Sequence, residues 1–361
     1  MYNGRMQTEI IAFLYKYFLK PILFQIDPED VHDKFTSIGK FLGAHRFGRD
    51  FTKFAFNYAN PKLETKVLGV SFKNPIGLAA GFDYDGHLVK ILSDVGFGFS
   101  TVGTVTNLPY EGNAKPRLKR LVKSRSLLVN KGFKSEGADA VFSRLSKQGL
   151  DDITYGVSIG SSNLPQIDSL TKAIDDVLEC FIKINKLQHL KYFELNISCP
   201  NTQLKEVFSN PTNFYSLTKA ITSLNLARPV FVKMPNEISE TQAEEIVKIG
   251  LTFGLCGYIF SNLVKDRSNP VLAKEELETV KGLKGNFSGA PTKQNSNRLL
   301  KSIKATYQND VHLIGLGGVF SAEDAQEKID CGAELIQLIT GMIFDGPQLI
   351  GQINRGLVLN R

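Results

Sequence analysis

The sequence predicts an α/β fold, a closed (β/α)8 barrel of the TIM type preceded by a two-helix N-terminal extension, with residues 1–60 as the extension and 61–361 as the barrel. Three observations predict it. Eight short apolar runs rich in β-branched residues recur between residues 74 and 340, longer segments with helical apolar spacing separate most of them, and polar or glycine residues gather where the runs end. Strand and helix alternating eight times is the pattern of a parallel barrel, whose chemistry sits where strands end and loops begin. An open doubly wound sheet is the runner-up. The 361 residues suit one barrel of about 250 residues with an appendage.

In chain order, residues 8–23 place Ile11, Phe13, Leu14, Tyr17, Phe18 and Ile22 on a broad apolar surface. Pro28-Glu29-Asp30 then opens a second helix carrying Val31, Phe35, Ile38, Phe41 and Leu42. Proline suits the first helical turn, and acidic residues suit the positive end of the helix dipole. With Lys16 and Lys20 at its edges, the pair suits a membrane interface, and an ordinary hairpin packed on the barrel is the alternative. No run reaches the roughly 18 apolar residues of a membrane span, and no small-residue cleavage site follows the apolar run 10–24, so a secretory signal is not expected.

The eight expected strands are 74–80, 98–105, 154–160, 192–198, 229–235, 257–262, 311–317 and 335–340, with helices such as 170–185, 241–253 and 322–331 between them. Their ends carry Gly81-Phe82-Asp83, Gly103-Thr104, Asn196 to Thr202, Lys233, Ser261-Asn262, Gly317-Gly318 and Thr340-Gly341.

Composition excludes several classes. Hydrophobic residues make up 42% and charged residues 22%, the usage of a globular protein. A net charge of +7 without a basic block interleaved with aromatics argues against nucleic acid. Cys180, Cys199, Cys256 and Cys331 form no CxxC pair, and the five histidines are scattered, so neither a metal site nor a disulfide framework is expected.

The strand ends carry the chemistry. Ser288-Gly289 and Gly317-Gly318 let backbone N–H groups approach a phosphate, which barrels commonly bind beside their last two strands. Lys233 closes the apolar strand Val230-Phe231-Val232, and burying an ammonium without a partner is expensive. The string Asn196-Ile197-Ser198-Cys199-Pro200-Asn201-Thr202 places a thiol between two asparagines.

Together with 74–83, Gly103-Thr104-Val105-Thr106, Lys115-Pro116-Arg117-Leu118, Phe231-Val232-Lys233, Ser288-Gly289, 315–319 and Thr340-Gly341, that string resembles the dihydroorotate dehydrogenase family, in order from about Leu23 to the C-terminus. The resemblance is closest to the membrane-associated, quinone-dependent class. It implies flavin mononucleotide (FMN) bound by Ala80, Gly81, Thr104, Ser158, Asn196, Lys233, Ser261, Ser288, Gly289, Gly317, Gly318, Thr340 and Gly341. Cys199 stands at the position of the catalytic base, and Lys233 faces the flavin ring. A thiol is a fitting proton acceptor near neutral pH when its surroundings lower its pKa of about 8.5. The resemblance further implies pyrimidine biosynthesis, a quinone partner and peripheral association with the cytoplasmic side of a membrane.

The substrate side departs from the family. Membrane-associated members carry serine where this chain has Cys199, the residue of the cytosolic class. Tyr84 replaces a lysine that meets the orotate carboxylate, Val129 an asparagine, Leu263 a threonine and Ser158 an asparagine near the flavin; Lys134 follows Phe133 where asparagine is usual. Asn130 and Lys134 are the expected substitutes, while Asn196, Asn201 and Asn262 remain. Two alternatives follow: the same chemistry on a less anionic dihydro-pyrimidine-like ring, or a flavin-binding protein without turnover.

Overall fold

The structure, a computed structural model, describes residues 2–359; residue 1 of the expected extension and residues 360–361 of the expected barrel lie outside it. Its strands are β1 (Thr65–Val67), β2 (Val70–Phe72), β3 (Ile76–Leu78), β4 (Phe99–Val105), β5 (Leu118–Leu121), β6 (Ser126–Val129), β7 (Tyr155–Ile159), β8 (Tyr192–Asn196), β9 (Val230–Lys233), β10 (Gly257–Phe260), β11 (Asn286–Phe287), β12 (His312–Leu316) and β13 (Leu335–Leu338). Eight of them close a parallel barrel in the order β3-β4-β7-β8-β9-β10-β12-β13, and these are the eight apolar runs of the sequence. The open sheet is thereby excluded.

The barrel interior changes character from floor to mouth. At the floor, the antiparallel hairpin β1–β2 inserts Val67 and Phe72 into the cluster formed by Phe99, Tyr192, Phe231, Ile259, Ile314 and Leu335. The Phe72 and Phe99 rings meet at 5.0 Å and the Tyr192 and Phe231 rings at 5.7 Å, both edge to face. Neighbouring strands make room for them: a Cβ at Gly77, Gly156 or Gly257 would stand 2.3, 2.2 or 2.5 Å from the ring of Phe99, Tyr192 or Phe231. Above this floor the buried side chains are Thr101, Glu194 and Gln337, and above these Asn196 and Lys233, paired in register across β8 and β9.

The outer helices form where the sequence spacing predicts them, at Leu170–Ile184, Glu240–Thr252 and Ala322–Asp330. Ala173, Val177, Cys180, Phe181 and Ile184 recur at helical spacing and are all buried in the main core. Ser239 and Gln242 form a reciprocal capping box that fixes the start of the second of these helices.

Two features lie outside the sequence expectation. β5, β6 and β11 form a separate antiparallel sheet. Its strands leave the chain after β4 and after β10, so the sheet lies on the face where those barrel strands end. The second feature is a helix, Arg46–Phe56, that follows the expected helix Pro28–Ala44. Asp27 caps Pro28–Ala44, accepting from the Glu29 N–H at 2.8 Å, as the Pro28-Glu29-Asp30 signal requires. Phe13, Phe18, Ile22, Phe41, Phe47 and Phe54 of the N-terminal helices are exposed. No helix among the described residues is long and apolar enough to cross a membrane.

Candidate active site

The site is built on the ends of the parallel strands. Lys233, the last residue of β9, is 4% exposed, and its ammonium has no hydrogen-bond partner among the described residues. Burial pulls its pKa down, while the Glu194 carboxylate and the Cys199 sulfur pull it back up. Cys199 lies three residues beyond the end of β8, in the loop that begins at Ile197. Burial pushes its thiol up to about 12, against the opposing pull of the Asn201 N–H and the Lys233 charge. The condition under which a thiol suits neutral pH, surroundings that lower it, is thus opposed here by burial, which outweighs one amide and one ammonium.

Asn196 and its neighbours are locked by side-chain bonds. The Asn196 amide donates to Thr104 Oγ1 at 3.0 Å, and Thr104 shares a 3.0 Å hydrogen bond with Ser158, which places both expected flavin-side hydroxyls inside the barrel mouth. Ser198 donates from its N–H and its hydroxyl to Asn196 Oδ1, and Asn262 donates to the Ser198 carbonyl at 2.7 Å. Asn196, Asn262 and the start of the Cys199 loop are therefore tied to one another through Ser198. Ser261 accepts from Asn236 at 2.6 Å, and Ala80 and Gly81 lie at the end of β3, where the Gly81 N–H donates to the Gly103 carbonyl at 2.7 Å.

A second set of carboxamides comes from the antiparallel sheet and its flanks. Asn201 donates to the Val129 carbonyl at 3.1 Å and accepts from Asn286 at 2.7 Å. Asn113 donates to Asn130 Oδ1 at 3.0 Å and to the Asn201 carbonyl at 2.9 Å. Asn130 thus joins the Asn201 group through its side chain, whereas Val129 joins through its backbone only. Asn113 and Asn286 are absent from the sequence reading, which offers no spacing that would connect residues so far apart. Leu263 is half-buried and belongs to none of the buried core clusters.

Tyr84 and Lys134 sit apart from these carboxamides. The Tyr84 ring lies 5.2 Å from the His32 ring and beneath the Lys131 ammonium at 5.5 Å, and burial pushes its phenol up. The Lys134 charge bears on His32, Asp85 and Lys131. At the centre of this region is Glu29, 3% exposed, with Lys131 at 2.5 Å, Arg117 at 2.8 Å and Lys115 at 3.8 Å. Burial alone would raise the Glu29 carboxyl, but the hydrogen bonds from Arg117 and Lys131 outweigh it and hold the group at about 2. Its stabilisation is therefore fully present above the ordinary 4.5 and is lost as pH falls through about 2.

The remaining expected residues form a cradle at the ends of β11, β12 and β13. Gly289, Gly317 and Gly318 have φ of 79°, 108° and 71°, where side chains are disfavoured, and a Cβ would stand 2.3 Å from the Arg125 carbonyl, 2.2 Å from Thr292 Oγ1 and 2.4 Å from Lys293 Cβ, respectively. Their N–H groups donate to no acceptor among the described residues. Ser288 and Thr340 share a 2.9 Å hydroxyl hydrogen bond beside them, and Gly341 follows in the first turn of the helix Thr340–Asp345. Unpartnered N–H groups in glycine turns are the donor set of a phosphate monoester, and the unpaired Lys233 ammonium lies at the same mouth. FMN fits this set. Among the described residues no cluster of His, Cys, Asp or Glu would hold a metal ion.

The family profile described as Dihydroorotate dehydrogenase matches residues 62–359. "Dihydroorotate dehydrogenase (quinone)" of Trichormus variabilis is 33% identical over 96% of this chain and 94% of its own length, and the protein of that name from Christiangramia forsetii is 33% identical over 96% and 99%. The crystal structure of DHODH from Eimeria tenella in complex with ferulenol superimposes with a TM-score of 0.81 at 26% identity, covering 92% of both chains.

Glu29 is the one carboxylate that the three basic side chains share, so Glu29→Ala leaves buried cations unpaired, a change that typically costs about 3 to 5 kcal/mol. Hydrogen exchange of the helix Pro28–Ala44 should accelerate accordingly while the barrel strands keep their protection. Unchanged exchange in that helix would show that the cluster does not dock it.

Proposed function

The chain belongs to the dihydroorotate dehydrogenase family, and from that premise we propose that it oxidises dihydroorotate to orotate on FMN and returns the electrons to a membrane quinone, a step of pyrimidine biosynthesis. One observation carries the reading: a thiol and an unpaired ammonium converge on one barrel mouth, with Asn196, Asn201 and Asn262 fixed around them.

FMN, when bound, supplies a two-electron acceptor for the hydride that leaves the substrate ring. The protein supplies the rest. Ser288, Gly289, Gly317, Gly318, Thr340 and Gly341 hold the phosphate, with Ala80, Gly81, Thr104, Ser158, Asn196 and Ser261 about the ring system. Lys233 holds a positive charge at the mouth, where negative charge accumulates as electrons arrive. Asn196, Asn201, Asn262 and Asn130 offer amide donors and acceptors that match the ring amides of a dihydro-pyrimidine. Cys199 Sγ takes the proton from the neighbouring substrate carbon, so proton and hydride leave on different acceptors and the charges balance. Only the thiolate can accept that proton, which makes the raised thiol the element that limits the reaction near neutral pH.

The electron outlet is read from the extension. Tyr15 donates its hydroxyl to the Ile343 carbonyl at 2.6 Å, and the Phe24 ring meets the Phe344 ring edge to face at 5.4 Å. Both contacts fall on the helix that carries Thr340 and Gly341. Phe13, Phe18 and Ile22 are exposed on the same extension, an apolar surface that suits peripheral attachment to a membrane and quinone access from the lipid; the cytoplasmic side is taken from the family resemblance.

A second reading is favoured by Tyr84. Two of the basic groups in its region, Arg117 and Lys131, are committed to Glu29, so a less anionic dihydro-pyrimidine would suit the carboxamide set better.

Three measurements test these readings. Anaerobic dihydroorotate should bleach the flavin at a rate that climbs about tenfold per pH unit through the neutral range, the behaviour of a base whose pKa lies above it, and Cys199→Ala should slow bleaching about 100- to 10,000-fold. A wild-type flavin that stays oxidised would overturn the primary reading. Phe13→Asp with Phe18→Asp should slow reoxidation by quinone in vesicles while leaving reoxidation by a water-soluble acceptor intact; equal quinone rates would remove the extension from the electron path. Tyr84→Lys should raise dihydroorotate kcat/KM about tenfold, the value of roughly 1.4 kcal/mol of charge-assisted binding, if the second reading holds, and no gain would count against it.

A further inference from the structure

Directly beneath the mouth, the middle layer of the barrel is built around a carboxylate. Glu194 is fully buried on β8, two residues below Asn196 and next to β9, where Asn196 pairs with Lys233. Its Oε1 accepts from the Thr101 hydroxyl at 2.6 Å and from the Gln337 amide at 2.6 Å. The Gln337 amide also donates to Thr101 Oγ1 at 3.1 Å, and the Tyr192 hydroxyl lies 2.8 Å from the same oxygen. Two donors of the layer thus reach one carboxylate oxygen, while the Tyr192 hydroxyl also lies within reach of the Ser100 carbonyl at 3.2 Å. Burial raises the Glu194 carboxyl, and the Lys233 charge with the Thr101 and Gln337 hydrogen bonds opposes that rise.

What this layer lacks is the other half of the account. Glu194 Oε2 and Gln337 Oε1 are buried acceptors without a hydrogen-bond partner. One layer up, the Lys233 side chain is buried, but its Nζ is not fully enclosed; it has no hydrogen-bond partner among the described residues and stands outside direct ion-pair contact with Glu194, whose charge still bears on it. Two acceptors without donors and one cation without acceptors therefore occupy adjoining layers of a closed barrel. Leaving either charge alone in such surroundings is costly, and each lowers the cost of the other. The groups facing the pair are few: Tyr192, Thr101 and Gln337 around the carboxylate, and Cys199 beside the ammonium, while Ala79, Ile259, Ile314 and Leu316 line the other strands.

We propose that Glu194 is the buried counter-ion of Lys233, a positioning residue that keeps the ammonium charged at the mouth and through it sets the reduction potential of the bound flavin. The proposal rests on the flavin reading of the mouth. With Glu194 ionised, the lysine meets the flavin as half of a neutral pair. Without that carboxylate the ammonium is unbalanced. It then stabilises added negative charge on the flavin more strongly while it keeps its proton, and it loses the proton at lower pH because burial is no longer opposed.

The test compares midpoint potentials of FMN-loaded wild-type and Glu194→Gln protein, measured by photoreduction against reference dyes near pH 6 and near pH 9. The variant should lie higher near pH 6 by at least tenfold in the two-electron equilibrium, about 30 mV, and the difference should vanish near pH 9. Coincident potentials at both pH values would overturn the proposal. An equal rise at both would also overturn it, since the carboxylate would then act on the flavin directly and not through Lys233. If Glu194→Gln does not fold, Thr101→Val, which removes one donor from the carboxylate, should give a smaller change of the same sign, and no change would overturn the proposal. Wild-type protein that holds no FMN would overturn the flavin reading and this proposal together, whereas coincident curves in flavin-loaded proteins would overturn only this one.

Discussion

A closed barrel has no edge and no second face, so its interior is filled by its own side chains and by whatever plugs its two ends. That constraint orders the rest of the molecule. Phe99, Tyr192 and Phe231 fill the floor, the β1–β2 hairpin seals it with Phe72, and glycines on neighbouring strands accept the rings. With the floor occupied by aromatic rings, polar groups are confined to the upper layers, where Thr101, Glu194 and Gln337 satisfy one another in part. The Lys233 ammonium is then left at the opposite end from the floor, among the loops that converge there. The location of the site is a consequence of how the barrel is packed from below.

The extension is tied to the barrel by charge as well as by apolar contact, with Leu42 and Phe56 packed on a core cluster and Phe24 on Phe344. Glu29 sits in the first turn of its helix and holds Arg117 and Lys131 of the antiparallel sheet and its flank. Lys131 follows Asn130, whose side chain belongs to the carboxamide group around Asn201. The helix Pro28–Ala44 and the segment that carries Asn130 are thus joined through a buried carboxylate, beside the Tyr15–Ile343 and Phe24–Phe344 contacts of the preceding segment. The burial of Glu29 is tolerable because the hydrogen bonds it accepts exceed what its desolvation costs, and the same surplus holds its carboxyl at about 2.

The barrel was legible in the sequence because each strand is buried on both faces and reads as a continuous apolar run. β5, β6 and β11 were not, since Leu118-Lys119-Arg120-Leu121 and Asn286-Phe287 are short and partly polar, and only their pairing across distant insertions makes them a sheet. The helix Arg46–Phe56 escaped for the opposite reason: Phe47, Phe51 and Phe54 lie exposed on it, where apolar spacing ordinarily marks a buried face. Within the site, Cys199, Lys233 and the glycine turns were legible as types at strand ends. Asn113 and Asn286 were not, because a carboxamide network has no period. The exchange of Val129 for Asn130 was half legible; which of two adjacent residues turns inward depends on the register of β6 against β5 and β11, and that register leaves Val129 in the strand and Asn130 beyond it.

The raised thiol decides how much of the reaction barrier the protein must find elsewhere. Burial holds the group well above its ordinary range, so only a small fraction is thiolate near neutral pH. Anything that lowers the thiol by one unit returns a factor of ten, and two groups already pull in that direction, the Asn201 N–H and the Lys233 ammonium. Cys199 and Lys233 are therefore coupled: on the proposed reading, the lysine charge that would favour electrons on the flavin is the same charge that favours a thiolate beside it.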